Sequence, residues 1–239
     1  LVHTDPADGY ESICFSALNN LRANSPDSSV KGRIASLLGP FAALDGINEK
    51  GVSIAVLTLD SEAVDQRTGR QAINTSLAIR LVLDRAATTQ QAVDLIERYD
   101  MHAMAGRDYH FFISDAQGDS RIVEWDPKDE GRRMVATPVR EITNYYALYA
   151  DEVLPNQRNG DLGHGKERAI AIADVLDAHE NAVTSDVAWE ALKAAAQDPN
   201  PEDVTSNTQW SIVYNNTDLT ADVCLRRNWD DIERFELNR

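Results

Sequence analysis

Positive charge is scarce in this chain of 239 residues: 23 lysines and arginines stand against 39 aspartates and glutamates, a formal net charge of -16. Nucleic acid and anionic membrane surfaces are therefore excluded as partners, because both would repel it. Cysteine is rarer still. Cys14 and Cys224 are too few and too far apart for a disulfide framework or a zinc site. Each lies in an apolar stretch, ICFSAL and ADVCLRR, and reads as a buried reduced thiol with no histidine or helix start beside it to activate it. The five histidines, His3, His102, His110, His164 and His179, have no metal spacing, so no metal site is expected. His110, in an aromatic strand, reads as a satisfied core histidine. No apolar run approaches the about eighteen residues a membrane span needs, and no basic-then-apolar signal opens the chain. Repeats, low-complexity tracts and linkers are also missing, which argues for one domain over residues 1–239. Reduced-looking cysteines favour the cytoplasm, although an export signal already removed would leave no trace.

What is present is ordinary for a globular chain, 43% apolar and 26% charged, enough for a large core. LVHTDPADGYESICFSAL starts in mid-pattern, with apolar Leu1-Val2, a polar turn around Pro6 and Gly9, and then the alternating Ile13, Phe15 and Ala17. It reads as the second strand of a hairpin whose first strand lies upstream. Residues 25–40 read as a polar linker with a short helical patch ending at Gly39-Pro40. DGINEKGVSIAVL, residues 45–57, reads as a tight turn bracketed by glycines that feeds a covered strand running to about Asp60. Asn74-Thr75-Ser76 caps an amphipathic helix and Thr88-Thr89 opens another. YHFFISDAQGDSRIVEW, residues 109–125, is a hairpin around an Asp-Ala-Gln-Gly-Asp turn. REITNYYAL reads as a further strand, and the glycine-rich NGDLGHGKER opens the helix AIAIADVLDA. The helix SDVAWEALKAAAQ follows, then three strands, TQWSIVYNN, LTADVCLRR and DDIERFEL. Strands and helices in separate blocks predict an α+β layered fold with antiparallel sheets.

Six of these blocks, in one order, carry a resemblance: DPADGYESICFSAL, LDGINEKGVSIAVLTL, YHFFISDAQGDSRIVEW, ITNYYAL, GHGKERA and TQWSIVYNNTDLTADVCLRRNWDDI. Together they resemble the choloylglycine hydrolase or linear amide C-N hydrolase family, which includes bile salt hydrolases and penicillin V acylases. The resemblance spans essentially the whole chain. It implies an N-terminal-nucleophile hydrolase: a four-layer αββα sandwich, here without its N-terminal strand segment, in which a cysteine exposed by autoprocessing attacks an amide. It further implies a bacterial, cofactor-free enzyme acting on a small N-acylated molecule, assembled as a homo-oligomer, dimer or tetramer. The family's cysteine supplies the thiol as nucleophile and its own α-amino group as base, which matches the lack of a Cys-His pair. That cysteine, with its supporting Arg-Asn-X-Asp segment, is expected upstream of Leu1, making the N-terminal segment of the same protein the first partner of this chain. Cys14 lies too close to the GINEKG stretch to replace it.

By the same resemblance, Asn144 is the side-chain donor to the oxyanion, a kind of group whose loss typically costs about 3 kcal/mol of transition-state stabilisation. Without the family it reads as a strand-end asparagine capping a turn. Arg168 matches the arginine beside the nucleophile, with Lys166 the alternative if the register shifts by two. Taken alone, Arg168 is a solvated side chain in a helix first turn, slightly unfavourable against the dipole. Thr58 stands where bile salt hydrolases carry asparagine and penicillin V acylases tyrosine, and it offers only a backbone N–H and a short hydroxyl. Tyr145 and Tyr146, with Tyr149, are candidates to line a substrate pocket, a place where aromatics otherwise pack. Asn48 and Glu49 are scaffold within their turn. Three functions stay open on the sequence: hydrolysis of a linear amide, acyl transfer to an amine on the same scaffold, and a non-catalytic binding or assembly module if the chain starts near Leu1. Bile salts, penicillin V, acyl-homoserine lactones and other N-acyl amino acids are not separated by any pocket motif.

Overall fold

In the computed structural model, residues 1–16, 29–156, 163–180, 182–202 and 207–237 are described. A seven-stranded antiparallel sheet is its largest element. It runs in the order β1 (Val2–Thr4), β2 (Ser12–Ser16), β3 (Ala43–Asn48), β4 (Val52–Leu59), β7 (Asp108–Asp115), β8 (Ser120–Trp125) and β9 (Met134–Pro138). The strands between them in sequence, β5 (Gln71–Asn74) and β6 (Tyr99–His102), form a separate parallel pair. The chain closes with a second antiparallel sheet of β10 (Trp210–Asn215), β11 (Thr220–Leu225) and β12 (Ile232–Glu236).

Alternation along the strands builds the layers. Val52, Ile54 and Val56 of β4 and Phe111 and Ile113 of β7 turn to one side, against Ala78, Ile79, Val82 and Leu83 of α2 (Thr75–Arg85) and Ala92, Val93 and Ile96 of α3 (Thr89–Ile96). On the other side Ile13 and Ile47 meet Ala221, Ile212 and Tyr214 of the second sheet. That sheet is backed in turn by α6 (Ser185–Ala194), whose Trp189 and Leu192 pack on Val213 and Cys224, with α5 (Lys166–Ala178) alongside. The order helix, sheet, sheet, helix is the four-layer sandwich expected. No helix among the described residues is long and apolar enough to cross a membrane. Both cysteines are free and buried, and burial pushes each thiol above its usual range.

Helix starts fall where their capping side chains put them. Asn74 accepts from the Leu77 N–H at the head of α2, and Thr88 from the Gln91 N–H at the head of α3. A shorter helix, α1 (Val30–Ser36), begins at Ser29 and gives way to a 3-10 turn at Gly39–Phe41, as the Gly39-Pro40 pair dictates. The rest of the expected linker, and residues 157–162 of the glycine-rich loop, lie outside the described residues.

Three expectations need correction. The first strand of the opening hairpin is present: Val2–Thr4 pairs with Ser12–Cys14, and buried Arg80 ties the two to α2 through Thr4 and Ser12. The DGINEKG turn is shorter than it reads, because Asp45–Asn48 are strand residues and only Glu49, Lys50 and Gly51 turn, Gly51 with φ +74°. Asn48 makes so short a turn stable. Its Oδ1 accepts from Lys50 and Val52 N–H, while its Nδ2 donates to the Leu83 and Ala86 carbonyls that end α2. REITNYYAL is not a strand. The N–H groups of Ala147 and Leu148 go to the buried Glu124 carboxylate at 3.0 and 2.7 Å, which winds Ala147–Tyr149 into a 3-10 turn ahead of the helix α4 (Ala150–Asn156). One isolated bridge, Tyr145 to Gly163, is its only strand-like pairing among the described residues.

Candidate active site

Three separate segments converge at the end of β4. Asn144 donates from Nδ2 to the Thr58 carbonyl at 2.8 Å, and Arg168 donates from Nη2 to Asn144 Oδ1 at 3.0 Å. The guanidinium has only donors, so it fixes which end of the amide is oxygen and turns the N–H end toward β4. Burial pulls the Arg168 pKa down, partly opposed by Glu167, but a guanidinium remains charged in this range. Lys166, the alternative to Arg168, reaches instead toward the Pro155 carbonyl.

Glycines make the convergence sterically feasible. Gly163 has φ +115°, and a Cβ there would lie 2.2 Å from the Asn144 carbonyl oxygen and 2.3 Å from Tyr145 Cα. Gly165, φ +94°, precedes α5, and its Cβ would meet Arg168 Nη2 at 2.6 Å and Thr143 Oγ1 at 2.7 Å. Between them, the His164 N–H donates to the Asn144 carbonyl at 2.6 Å and the Thr143 hydroxyl donates to the Gly165 carbonyl at 3.0 Å. The Gly-His-Gly stretch is thus moulded onto Asn144, and it carries Arg168 into place as α5 begins. His164 Nδ1 sits 2.8 Å from Asp60 Oδ2, two residues past Thr58.

Tyr145 and Tyr146 are packed rather than lining. Tyr145 is buried among Val153, Ala169 and Ile142. Tyr146 is fully buried, and its hydroxyl donates to Asp108 and contacts Ser61 Oγ at 2.6 Å. His110 is fully buried against Glu124 at 3.4 Å, but its Nε2 has no hydrogen-bond partner among the described residues, so it is not the satisfied histidine expected.

A cleft of about 450 Å³ opens between the two sheets, and Leu57, Ile142 and Ile172, neighbours of Thr58, Asn144 and Arg168, contribute to its wall. Opposite them lies β10, whose far edge is unpaired among the described residues. Asp45 lines the same cleft. Burial pushes its carboxyl up to about 6, against the hydrogen bonds from Tyr214 and Trp210 that favour the charged form. In the sequence Asp45 reads as a turn residue, and Tyr214, Gly163, Gly165 and His164 carry no sign of a role. Apart from the two glycines in GHGK, nothing local distinguishes them. Neither cysteine enters the cleft wall, Cys14 being part of the helix-side core. No cluster of three potential metal ligands exists among the described residues.

Residues 38–230 match the family model of acyl-coenzyme A:6-aminopenicillanic acid acyl-transferase. A sequence comparison with curated proteins finds no match. Among solved structures, the chain is similar to a variant of conjugated bile acid hydrolase from Clostridium perfringens, with TM-score 0.65 and 16% identity over 81% of this chain and 72% of that one. A second variant of that hydrolase gives TM-score 0.64 at 16% identity, over 82% and 72%. Penicillin V acylase from Agrobacterium tumefaciens gives TM-score 0.62 at 18% identity, over 90% of this chain and 66% of that one.

Proposed function

Because the chain belongs to the acyl-coenzyme A:6-aminopenicillanic acid acyl-transferase family, we propose that it cleaves a linear amide C–N bond in an N-acylated small molecule. The nucleophile is the thiol of a cysteine at the head of a segment preceding Leu1, exposed by autoprocessing. The single observation that carries this reading is the Arg168–Asn144–Thr58 contact, which holds an amide donor beside Leu57, Ile142 and Ile172, residues of the inter-sheet cleft wall. The edge of β10 across that cleft, unpaired among the described residues, has the geometry to take an extended segment bearing the cysteine.

The chemistry follows from the donor set. The cysteine's α-amino group takes the thiol proton and the thiolate attacks the amide carbon. Asn144 has a second N–H beyond the one held by Thr58, and this stabilises the oxyanion. The Arg168 charge favours thiolate and oxyanion alike. Collapse breaks the C–N bond, the amine leaves with the proton from the α-amino group, and water hydrolyses the thioester to a carboxylic acid and the free thiol. A second reading, transfer of the acyl group to an amine in place of water, is favoured by the name of the matching family model. Adding a primary amine during turnover of the full-length protein separates the two. Hydrolysis releases acid whatever the amine concentration, whereas transfer diverts product into a new amide. Release of no amine from a panel of N-acyl p-nitroanilides and N-acyl amino acids would refute both and favour the binding module.

A further inference from the structure

Just past Asn144 the chain is gripped by three carboxylates of the large sheet. The Tyr146 hydroxyl donates to Asp108 of β7, the Ala147 and Leu148 N–H groups donate to Glu124 of β8 at 3.0 and 2.7 Å, and the Tyr149 hydroxyl donates to Asp126 one residue past β8. Of the three, Glu124 alone holds this segment by its backbone. It is fully buried, and so is His110 beside it. Phe111 pairs with Val123, which puts His110 opposite Glu124, while Leu57 pairs with His110 and Val135 with Glu124. The row across the sheet is therefore apolar at both ends and ionisable in the middle. Two apolar side chains would complete it without a desolvation penalty, and replacing buried ionic groups in that way is often neutral or stabilising. His110 adds to the penalty. Its Nδ1 faces Glu124 Oε2 at 3.4 Å, while its Nε2 is buried with no hydrogen-bond partner among the described residues. A pair so unfavourable for packing stands three residues from the amide donor, with only the buried Tyr145 and Tyr146 between.

We propose that Glu124 is a positioning residue for Asn144. Its two oxygens fix the backbone at Ala147 and Leu148, and the close-packed tyrosines carry that constraint to Asn144, so that the free N–H of the amide points in one direction. His110 holds the carboxylate in the orientation that serves both N–H groups at once. From the other side the His164 N–H takes the Asn144 carbonyl and Arg168 takes its Oδ1, so the donor is fixed between a loop and a sheet. Arg168 decides which end of the amide is the donor, and Glu124 decides where that end lies. This inference rests on the amide-cleavage reading, in which that N–H meets the oxyanion.

The test is a double-mutant cycle in the full-length protein with an N-acyl p-nitroanilide as substrate. Glu124→Gln is nearly isosteric but puts an NH₂ where one oxygen was, leaving one of the two N–H groups facing a donor. It should lower kcat about tenfold or more, the value of one hydrogen bond to a charged group, with KM within about twofold of the parent. In an Asn144→Ala background the same substitution should cost less than about twofold, because the group it acts through is already gone. His110→Leu, which keeps the carboxylate and removes the ring beside it, should lower kcat severalfold and fall equally silent in that background. The side-chain amide resonance of Asn144, assigned by its loss in Asn144→Asp, should shift or broaden in Glu124→Gln. Losses that add to that of Asn144→Ala, or an Asn144 resonance left unmoved, would overturn the proposal. So would failure of both variants to fold, which would assign the pair to stability. A parent protein that cleaves no amide, with the Asn144 resonance moved by Glu124→Gln, would instead sink the amide-cleavage reading and leave the positioning role standing.

Discussion

An asparagine amide has two N–H donors, and at Asn144 one of them is committed to the Thr58 carbonyl while the oxygen is held by Arg168. One donor is left for a developing negative charge, in a fixed direction. Asn144→Asp keeps an acceptor for Arg168 but has no donor, so kcat on a chromogenic N-acyl amide should fall about 10²- to 10³-fold, as it should for Asn144→Ala. An Asn144→Asp enzyme with near-normal kcat would remove Asn144 from catalysis. Arg168→Ala leaves the amide unanchored, and about 10- to 100-fold should be lost, the equivalent of one hydrogen bond to a charged group. Thr58 takes part through its carbonyl, so Thr58→Val should leave the Asn144 contact intact and kcat within a fewfold of the parent. These three positions were named from the family resemblance of short blocks. Their proximity is not written in their spacing, since 86 and 24 residues separate the bonded pairs. The tyrosines next to Asn144 were misplaced for a physical reason: a buried carboxylate, Asp108, captures the Tyr146 hydroxyl, and no local pattern reveals that.

Elements are aimed at this site by two small devices. Gly163 lets the loop before α5 approach the Asn144 backbone where any Cβ would overlap it. Gly163→Ala should cost about 1–3 kcal/mol in backbone strain alone, and more from the overlap, lowering Tm by several degrees in a thermal melt. An unchanged Tm would mean that the loop seats differently. Asn48 is the second device, joining the β3–β4 turn to the end of α2 through four bonds. Asn48→Ala leaves buried carbonyls and turn N–H groups without their partner, and urea unfolding should show a loss of about 3 kcal/mol or more. At this scale the sequence was legible wherever the signal is local: capped helix starts, the Asp115–Gly118 hairpin turn, the three closing strands. It was misleading at DGINEKG, because Gly46, a strand residue, looks like a turn glycine until it is seen against the Ile13 carbonyl, where a Cβ would lie 2.7 Å away, while Gly51, φ +74°, does close the turn. It was misleading again at REITNYYAL, whose apolar pattern is that of a strand but whose N–H groups are taken by the Glu124 side chain. The parallel β5–β6 pair, with Asp100 of β6 accepting from the Thr68 and Gly69 N–H groups just before β5, is a long-range pairing that no short window contains.

Across the molecule, the two sheets meet over a cleft whose floor holds one buried carboxyl, Asp45, bonded by the Tyr214 hydroxyl. Burial raises its pKa from the ordinary value near 3.8 to about 6, so the folded protein holds this proton more tightly than the unfolded chain. Stability contributed here is present below pH 4 and is lost as pH rises toward 6, by about 3 kcal/mol at most. Asp45→Asn does not titrate, so the stability of that variant relative to the parent should grow between about pH 4 and 6 and level off above. A difference flat across that range in urea unfolding would show that Asp45 is already charged in the fold. The layered architecture itself was legible, because strand and helix blocks plus the six motifs point the same way. The cleft was not, because it is made by facing surfaces of sheets that are distant in sequence. The central claim concerns what works in that cleft. It is tested most directly by mixing the full-length protein with an N-acyl p-nitroanilide, quenching early, and mapping the acylated peptide by mass spectrometry. The account predicts one acyl group, on the thiol of an N-terminal cysteine in a segment preceding Leu1. Acylation at Cys14, Cys224 or a hydroxyl, or turnover with no N-terminal cysteine on the mature protein, would contradict it.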